Sequence, residues 1–269
     1  MSSTSELVSS TPSARRIGGE QLQQSFAENG YLVLEGIVDR QMLAALHQQI
    51  AAEFTRASES GALFSGGGRL SGHLNCFPGK ASRFVYEALE ERGVLDLVKS
   101  LSSQPLRLPN IGCNFNLPGS TAQNVHVDGY AAHEFLVVNV AAVDTDLRNG
   151  AMEILARTQR KHYKLWQILV ERPERLRLCM KQGDVVIRTS TLWHRGMPNL
   201  SPNPRPMLAF TWEDGGSPLA DPYQANDGRI TFFPNRFPTD LRGRLRERMF
   251  VAAPRVSTAL RAARSLLES

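Results

Sequence analysis

Apolar positions recur along this chain with two different periods, and the change of period divides it. Beyond about Asp39, the residues Met42, Leu43, Leu46, Ile50 and Phe54 fall at helical spacing and mark one apolar face. Gly19 to Asn29 reads as a shorter helix stopped by Gly30, a residue suited to the left-handed position beyond a helix end. Tyr31 to Glu35 is β-prone and predicts a strand. Phe84 to Leu101 is again helical by pattern, with Phe84, Ala88, Leu89, Leu95 and Val98 as its buried positions. The glycine run Ser65–Gly68 and the pair Pro78-Gly79 are turn signals. The stretch between them, which carries His73 and Asn75, is expected to be a loop on the helical side.

After about residue 100 the period shortens to two. Arg107 to Leu117 alternates around Ile111, Cys113 and Phe115, and Phe135 to Val143 is an apolar run. Ala151 to Leu155, Asp184 to Arg188 and Met207 to Trp212 are further strand candidates. Turn signals at Pro118-Gly119, Asn149-Gly150, Gly183-Asp184 and Pro198-Asn199 separate them. Helices first and many short strands later predict a mainly β domain with flanking helices, built as a sandwich or barrel. One or two helices close the chain, and no internal repeat is present.

Composition narrows the class. At 42% hydrophobic and 21% charged, the 269 residues read as an ordinary globular chain. No stretch approaches the ~20 apolar residues of a membrane span. Residues 1–16 are rich in Ser and Thr and lack an apolar signal core, so they are expected to be a disordered lead. Cys76, Cys113 and Cys179 are far apart and odd in number, which argues against a disulfide framework and for a reducing cytoplasm. The net charge of +5 concentrates in residues 238–269, where seven arginines face three acids. Base-reading motifs and interleaved aromatics are absent there, so no nucleic-acid partner is expected. The tail reads as a basic helical extension with a solvated face.

Two short segments carry candidate chemistry. In Asn124-Val-His126-Val-Asp128, the imidazole and the carboxylate would project from one face of a strand. Neutral imidazole with a hard carboxylate suits a borderline divalent metal such as Fe(II), provided a second histidine completes the set. The strand Gly183 to Arg188 delivers such a residue, His194, at the start of a turn. Eleven residues on, Arg205 enters the last strand. A guanidinium inside a barrel is costly unless it meets an anion, and its planar fork suits a carboxylate. Taken singly each feature is weak, but their order, spacing and strand context coincide.

These residues resemble the phytanoyl-CoA dioxygenase-like Fe(II)/2-oxoglutarate oxygenases from about Gln21 to Trp212. Phe26-Ala-Glu-Asn-Gly-Tyr-Leu-Val-Leu-Glu35 is similar to the family's opening helix and strand. Asn149-Gly-Ala-Met-Glu-Ile-Leu155 resembles its Asn-Gly turn, and Gly183-Asp184 through His194 and Asn199 its distal-histidine segment. Where the family usually has Pro-Gly-Ser-His, this chain reads Ala156-Arg-Thr-Gln-Arg160. The resemblance implies a double-stranded β-helix, a jelly-roll barrel, over a single oxygenase domain at residues 17–237. It implies Fe(II) held by His126, Asp128 and His194, with 2-oxoglutarate and dioxygen as co-substrates. Arg205 would hold the far carboxylate of 2-oxoglutarate, with Arg188 and Arg195 as competitors for that role.

Gln123, Asn114 and Asn139 are expected around the co-substrate. His73, Asn75, Phe115, Tyr130 and His133 are candidates for substrate contact, while Trp193 and Trp212 read as structural walls. The implied reaction is hydroxylation of an unactivated C–H of a small molecule in biosynthetic metabolism, releasing succinate and carbon dioxide. Desaturation, epoxidation or cyclisation by the same chemistry are alternatives. So are a cupin-like enzyme using another metal without 2-oxoglutarate and a non-catalytic iron-binding protein; Arg205 counts against the first, the intact set against the second. The protein is expected to be a monomer or homodimer.

Overall fold

The computed structural model describes residues 19–60, 70–235, 237 and 240–267. The lead at residues 1–16 and the glycine run Ser65–Gly68 lie outside them. Seven strands form one antiparallel sheet. In spatial order they are β1 (Tyr31–Leu34), β7 (Val185–Thr189), β4 (Leu136–Ala141), β9 (Arg205–Thr211), β3 (Asn110–Asn116), β2 (His73–Phe77) and β10 (Thr231–Phe232). A second sheet holds β6 (Arg175–Leu178), β5 (Met152–Leu155) and β8 (His194–Arg195). The architecture is mainly β with flanking helices, the two-sheet jelly roll of a double-stranded β-helix.

Side chains of the large sheet sort by the two-residue period of a strand. Leu74 and Cys76, Cys113 and Phe115, Val138 and Val140, Val185 and Ile187, and Leu208 and Phe210 share one apolar cluster. Helices α2 (Arg40–Glu59), α3 (Arg83–Glu91) and α4 (Val94–Leu101) cover that face through Leu43, Leu46, Ile50, Val85, Leu89, Leu95 and Val98. Asp39 starts α2 by accepting from the Met42 N–H at 2.8 Å. On the opposite face, Val33, Ala141, Val186 and Met207 pack against Met152, Ile154 and Leu178 of the small sheet. A third cluster joins Leu155 and Trp193 to α5 (Leu165–Glu171) and to Ala262 of the C-terminal helix α7 (Pro254–Leu267). The N-terminal α1 (Gly19–Asn29) and the penultimate α6 (Leu241–Ala252) complete the set.

Several expectations are corrected. The stretch Phe84 to Leu101 is two helices, because Gly93 sits at φ +73° between α3 and α4. The expected loop around His73 and Asn75 is strand β2, paired with β3 in the register Asn75↔Asn114; flanking turns bound a strand as readily as they bound a loop. The strand β6 and the helix α5 carry no strong periodic signal and are additions. One side of α7 packs against α5 and the loop before His126.

Phe115 is also corrected. It is fully buried between Phe54 and Phe232, with ring centroids 5.4 Å away in each case, on the helix-facing side of β3. Its neighbour Asn114 takes the other side. Trp193 and Trp212 are buried and donate their indole N–H groups to the carbonyls of Tyr163 and Arg107, as structural walls do. Phe115→Ala should therefore cost about 3–5 kcal/mol of stability by opening a cavity. Urea denaturation checks this, and 2-oxoglutarate affinity of the folded protein should stay near wild type. A stable variant with weakened 2-oxoglutarate binding would return Phe115 to the site.

Candidate functional site

The opposite face of the large sheet lines a cavity of about 370 Å³. Asn75, Asn114, Asn139, Arg188 and Arg205 reach it from β2, β3, β4, β7 and β9. His126 and His194 enter from the other side. They are joined by two backbone hydrogen bonds, each N–H donating to the other's carbonyl at 3.0 and 2.9 Å. Only His126 is paired in this way, and the strand expected around it is a single bridge. Two residues on, the Asp128 N–H donates instead to the Ser190 carbonyl at 2.9 Å, which returns the carboxylate toward the histidines.

The three side chains converge. His126 Nε2 lies 3.7 Å from Asp128 Oδ1, and His194 Nε2 lies 3.6 Å from Asp128 Oδ2. One donor atom from each falls within 4.8 Å of the others. Both imidazoles are oriented alike: Nδ1 of His126 donates to the Asn124 carbonyl at 2.8 Å, and Nδ1 of His194 to the Leu192 carbonyl at 2.9 Å. A carbonyl can only accept, so each Nδ1 carries the proton and each Nε2 presents its lone pair to the centre. Burial pushes the His194 ring down to about 3 and lowers His126 as well. Burial would raise the Asp128 carboxyl, but Arg188, His194 and His126 outweigh it and hold the group well below the usual carboxylate range. At neutral pH the set is two neutral imidazoles and one carboxylate, the protonation state a metal requires.

The three arginines are told apart by their partners. Arg195 donates to Glu153 at 2.7 Å, alongside Arg175 at the same distance, and lies outside the cavity. Arg188 is buried, holds Asp128 at 2.5 Å and donates to the Asn139 amide oxygen at 3.2 Å. Arg205 is 2% exposed, and among the described residues its side chain donates from Nη2 to the Gly150 carbonyl at 3.0 Å. No carboxylate pairs with it among the described residues, and its Nε has no partner. Burial pushes Arg205 down to about 10, so it stays cationic at neutral pH. Gly150 can present that carbonyl because its φ of +86° suits glycine, and a Cβ there would meet the Met197 carbonyl oxygen at 2.6 Å.

Of the other expected residues, Gln123 lines the cavity and accepts from the Gly196 N–H at 2.7 Å. Asn75 and Asn114 line it as a cross-strand pair, amide to amide at 3.3 Å. His73 lies beneath the lining: it is fully buried, donates Nε2–H to the Thr121 carbonyl at 2.5 Å, and packs so closely under Gly196 that a Cβ there would come within 2.8 Å of its ring. Tyr130 is 80% exposed, and neither it nor His133 lines the cavity, because the chain turns outward after Asp128. Arg188 as the partner of Asp128 was missed. The signal was available, since an arginine at the inward position of the apolar strand Asp184 to Arg188 needs a buried anion.

The profile of the phytanoyl-CoA dioxygenase (PhyH) family matches residues 26–207. The chain belongs to that family. Solved structures share the fold at low sequence identity. The non-heme α-ketoglutarate-dependent carbocyclase SnoK from nogalamycin biosynthesis superposes with a TM-score of 0.57 at 16% identity, over 74% of this chain and 85% of its own. The epimerase SnoN in complex with Fe3+, α-ketoglutarate and nogalamycin RO gives 0.58 at 17%, over 72% and 82%. HygX from Streptomyces hygroscopicus, with nickel and 2-oxoglutarate bound, gives 0.53 at 16%, over 72% and 86%. In this PhyH-family chain the converging histidines and aspartate sit inside the matched segment.

Protonation gives a test on metal-free protein. In the unfolded chain histidine titrates near 6.5, whereas burial pushes folded His73 down to about 4 and His194 to about 3. Between those values the unfolded state binds more protons, so stability is full above about pH 6.5 and is lost as pH falls. Each group contributes a slope of about 1.4 kcal/mol per pH unit. The urea midpoint should drop from pH 7 to pH 5, and His73→Gln should flatten that drop. Equal midpoints at the two pH values would refute it.

Proposed function

We propose that this protein is an Fe(II)- and 2-oxoglutarate-dependent dioxygenase that hydroxylates an unactivated C–H of a small molecule in biosynthetic metabolism. The observation that carries the reading is Arg205, a buried guanidinium without a carboxylate partner among the described residues, in the same cavity as a two-histidine, one-carboxylate set. That donor set suits Fe(II) and leaves coordination positions open. A buried cation lacking an anion fits a dicarboxylic acid presented from the cavity. Bound iron with 2-oxoglutarate and dioxygen would supply the oxidising chemistry, with succinate and carbon dioxide as co-products.

The chain's own residues would do the positioning. His126, Asp128 and His194 hold the metal through Nε2, a carboxylate oxygen and Nε2. Arg205 binds the far carboxylate of 2-oxoglutarate, and Asn114, Asn139 and Gln123 offer neutral polar atoms beside it. Arg188 keeps the Asp128 carboxylate turned inward. Val137, Met152 and Met207 exclude water from one wall. Among the described residues no helix is long and apolar enough to cross a membrane, and Cys76 and Cys113 are joined in no disulfide. A reducing cytoplasm is the compartment that suits them.

His126→Ala, Asp128→Ala or His194→Ala should each abolish Fe(II)-dependent succinate release while the protein stays folded by circular dichroism. Near-wild-type turnover in any one would remove that residue from the ligand set. Arg205→Ala should raise the 2-oxoglutarate KM roughly tenfold to several hundredfold, the loss expected for one or two charge-assisted contacts. Metal affinity without 2-oxoglutarate should barely move, and Arg205→Lys should restore only part of the loss. An unchanged KM would overturn the assignment. Succinate release is the readout because the fold also carries a carbocyclase and an epimerase among its neighbours.

A further inference from the structure

Beside the inner cavity lies a larger one of about 930 Å³, and the two share Asn75, Gln123 and His126 in their walls. The outer chamber is roofed by α6 and α7. Arg246 reaches it from α6, and Arg261 and Arg264 from α7. Among the described residues no aspartate or glutamate lines it. The same helices also bring apolar side chains to it, Phe250 from α6 and Val256 and Leu260 from α7, and Val256 and Leu260 are 54% and 60% exposed while facing it. Along α7, Val256, Leu260 and Arg264 recur every four residues, so one helix stripe runs from apolar to cationic. The roof is fixed to the metal-side chain. The Asn124 side chain donates to Ser257 at 3.3 Å and accepts from Thr258 at 3.4 Å, and Arg261 donates to the Val125 carbonyl at 3.3 Å. Asn124 in turn supplies the carbonyl that orients His126.

A chamber that opens on the metal set and is lined by three guanidiniums and an apolar stripe has a complementary occupant. We propose that the C-terminal helix pair is the substrate-binding roof of the enzyme, and that the substrate is a small amphipathic acid with an apolar body and a carboxylate or phosphate group. The arginines take the acidic group, and the apolar stripe holds the body with its reacting carbon toward His126. Pockets of this size bury ligands of a few hundred daltons, and charge-assisted guanidinium contacts select a carboxylate or phosphate over a neutral group. The inference rests on the oxygenase reading for its choice of reacting end, and the test separates the two.

Full-length protein loaded with Mn(II) and saturating 2-oxoglutarate, so that Arg205 is already occupied, is titrated calorimetrically with 1-naphthoate, 1-naphthyl phosphate and the neutral 1-naphthalenemethanol. At least one acid should bind ten or more times tighter than the alcohol, and the tighter acid names the group. The double variant Arg246→Ala, Arg264→Ala, at two exposed positions and checked for folding by circular dichroism, should erase that preference. Arg255→Ala, on the same helix outside the chamber, should keep it. Leu260→Glu should weaken the three probes together. Equal affinities in wild type, a preference that survives the double variant, or a dimer whose formation excludes 1-naphthoate would each overturn the proposal. Failure of Mn(II)-dependent 2-oxoglutarate binding, measured first, would instead strike the oxygenase reading and leave acid selectivity as a separate result.

Discussion

The two-residue period of the large sheet is the constraint on which everything else depends. Each of its central strands has one face committed to the helices and the other to the cavity. A slip of one residue in β9 would drive Arg205 into the helix-facing core and swing Leu208 into the site. The apolar face, with Phe115, Val138, Val140, Ile187, Leu208 and Phe210 all buried, makes such a slip prohibitively costly. Register set by the core therefore also sets the positions of Asn75, Asn114, Asn139, Arg188 and Arg205. The helices α2, α3 and α4 take no part in the chemistry, yet by burying one face they aim the other.

The small sheet solves a different problem. Two histidines must point their Nε2 atoms at a common centre. The chain achieves this with paired backbone bonds between His126 and His194 and a local carbonyl for each Nδ1. Leaving a buried polar atom without a partner costs about 1–3 kcal/mol. Such atoms do remain on Arg188 and Arg205, both facing the cavity, and on His73 just beneath it. Others lie away from it, on Asn116, Gln159 and Arg177, while Thr145 is satisfied by the carbonyls of Leu178 and Met180. The two orphaned guanidinium atoms that do face the cavity, on Arg188 and Arg205, mark where the protein gives up stability for binding.

Much of this was legible in the residues because periodicity reports burial directly. The apolar stripe of α2, the alternation in β3 and the order His126, Asp128, His194, Arg205 all follow from spacing. What was not legible depended on facts that spacing does not hold. Alternation puts Asn114 and Phe115 on opposite faces, but not which face meets the cavity, and Phe115 was misassigned for that reason. Turn signals on both sides of His73 and Asn75 hid strand β2, since a five-residue strand with glycine and proline at its ends looks like a loop. The arginines of the tail show a basic helix, but only its docking on α5 and Asn124 shows that Arg246, Arg261 and Arg264 face a chamber.

Charge ties the two cavities together. The inner lining carries two carboxylates, Asp128 and Glu213, and two guanidiniums, Arg188 and Arg205, with its histidines neutral. A divalent cation alone would unbalance it, and so would a dicarboxylate alone; the two together restore the balance. Metal and 2-oxoglutarate should consequently support each other's binding through the common lining, beyond any direct contact between them. The outer chamber is lined by three guanidiniums and, among the described residues, by no carboxylate, so loading the inner site leaves that lining unchanged. An anion entering there meets an inner site already neutral, and its acidic group is drawn to Arg246, Arg261 and Arg264 rather than to Arg205. Segregating the charges in this way lets one enzyme bind two acids in two places, and keeps the substrate's acid end away from the metal while its apolar end approaches.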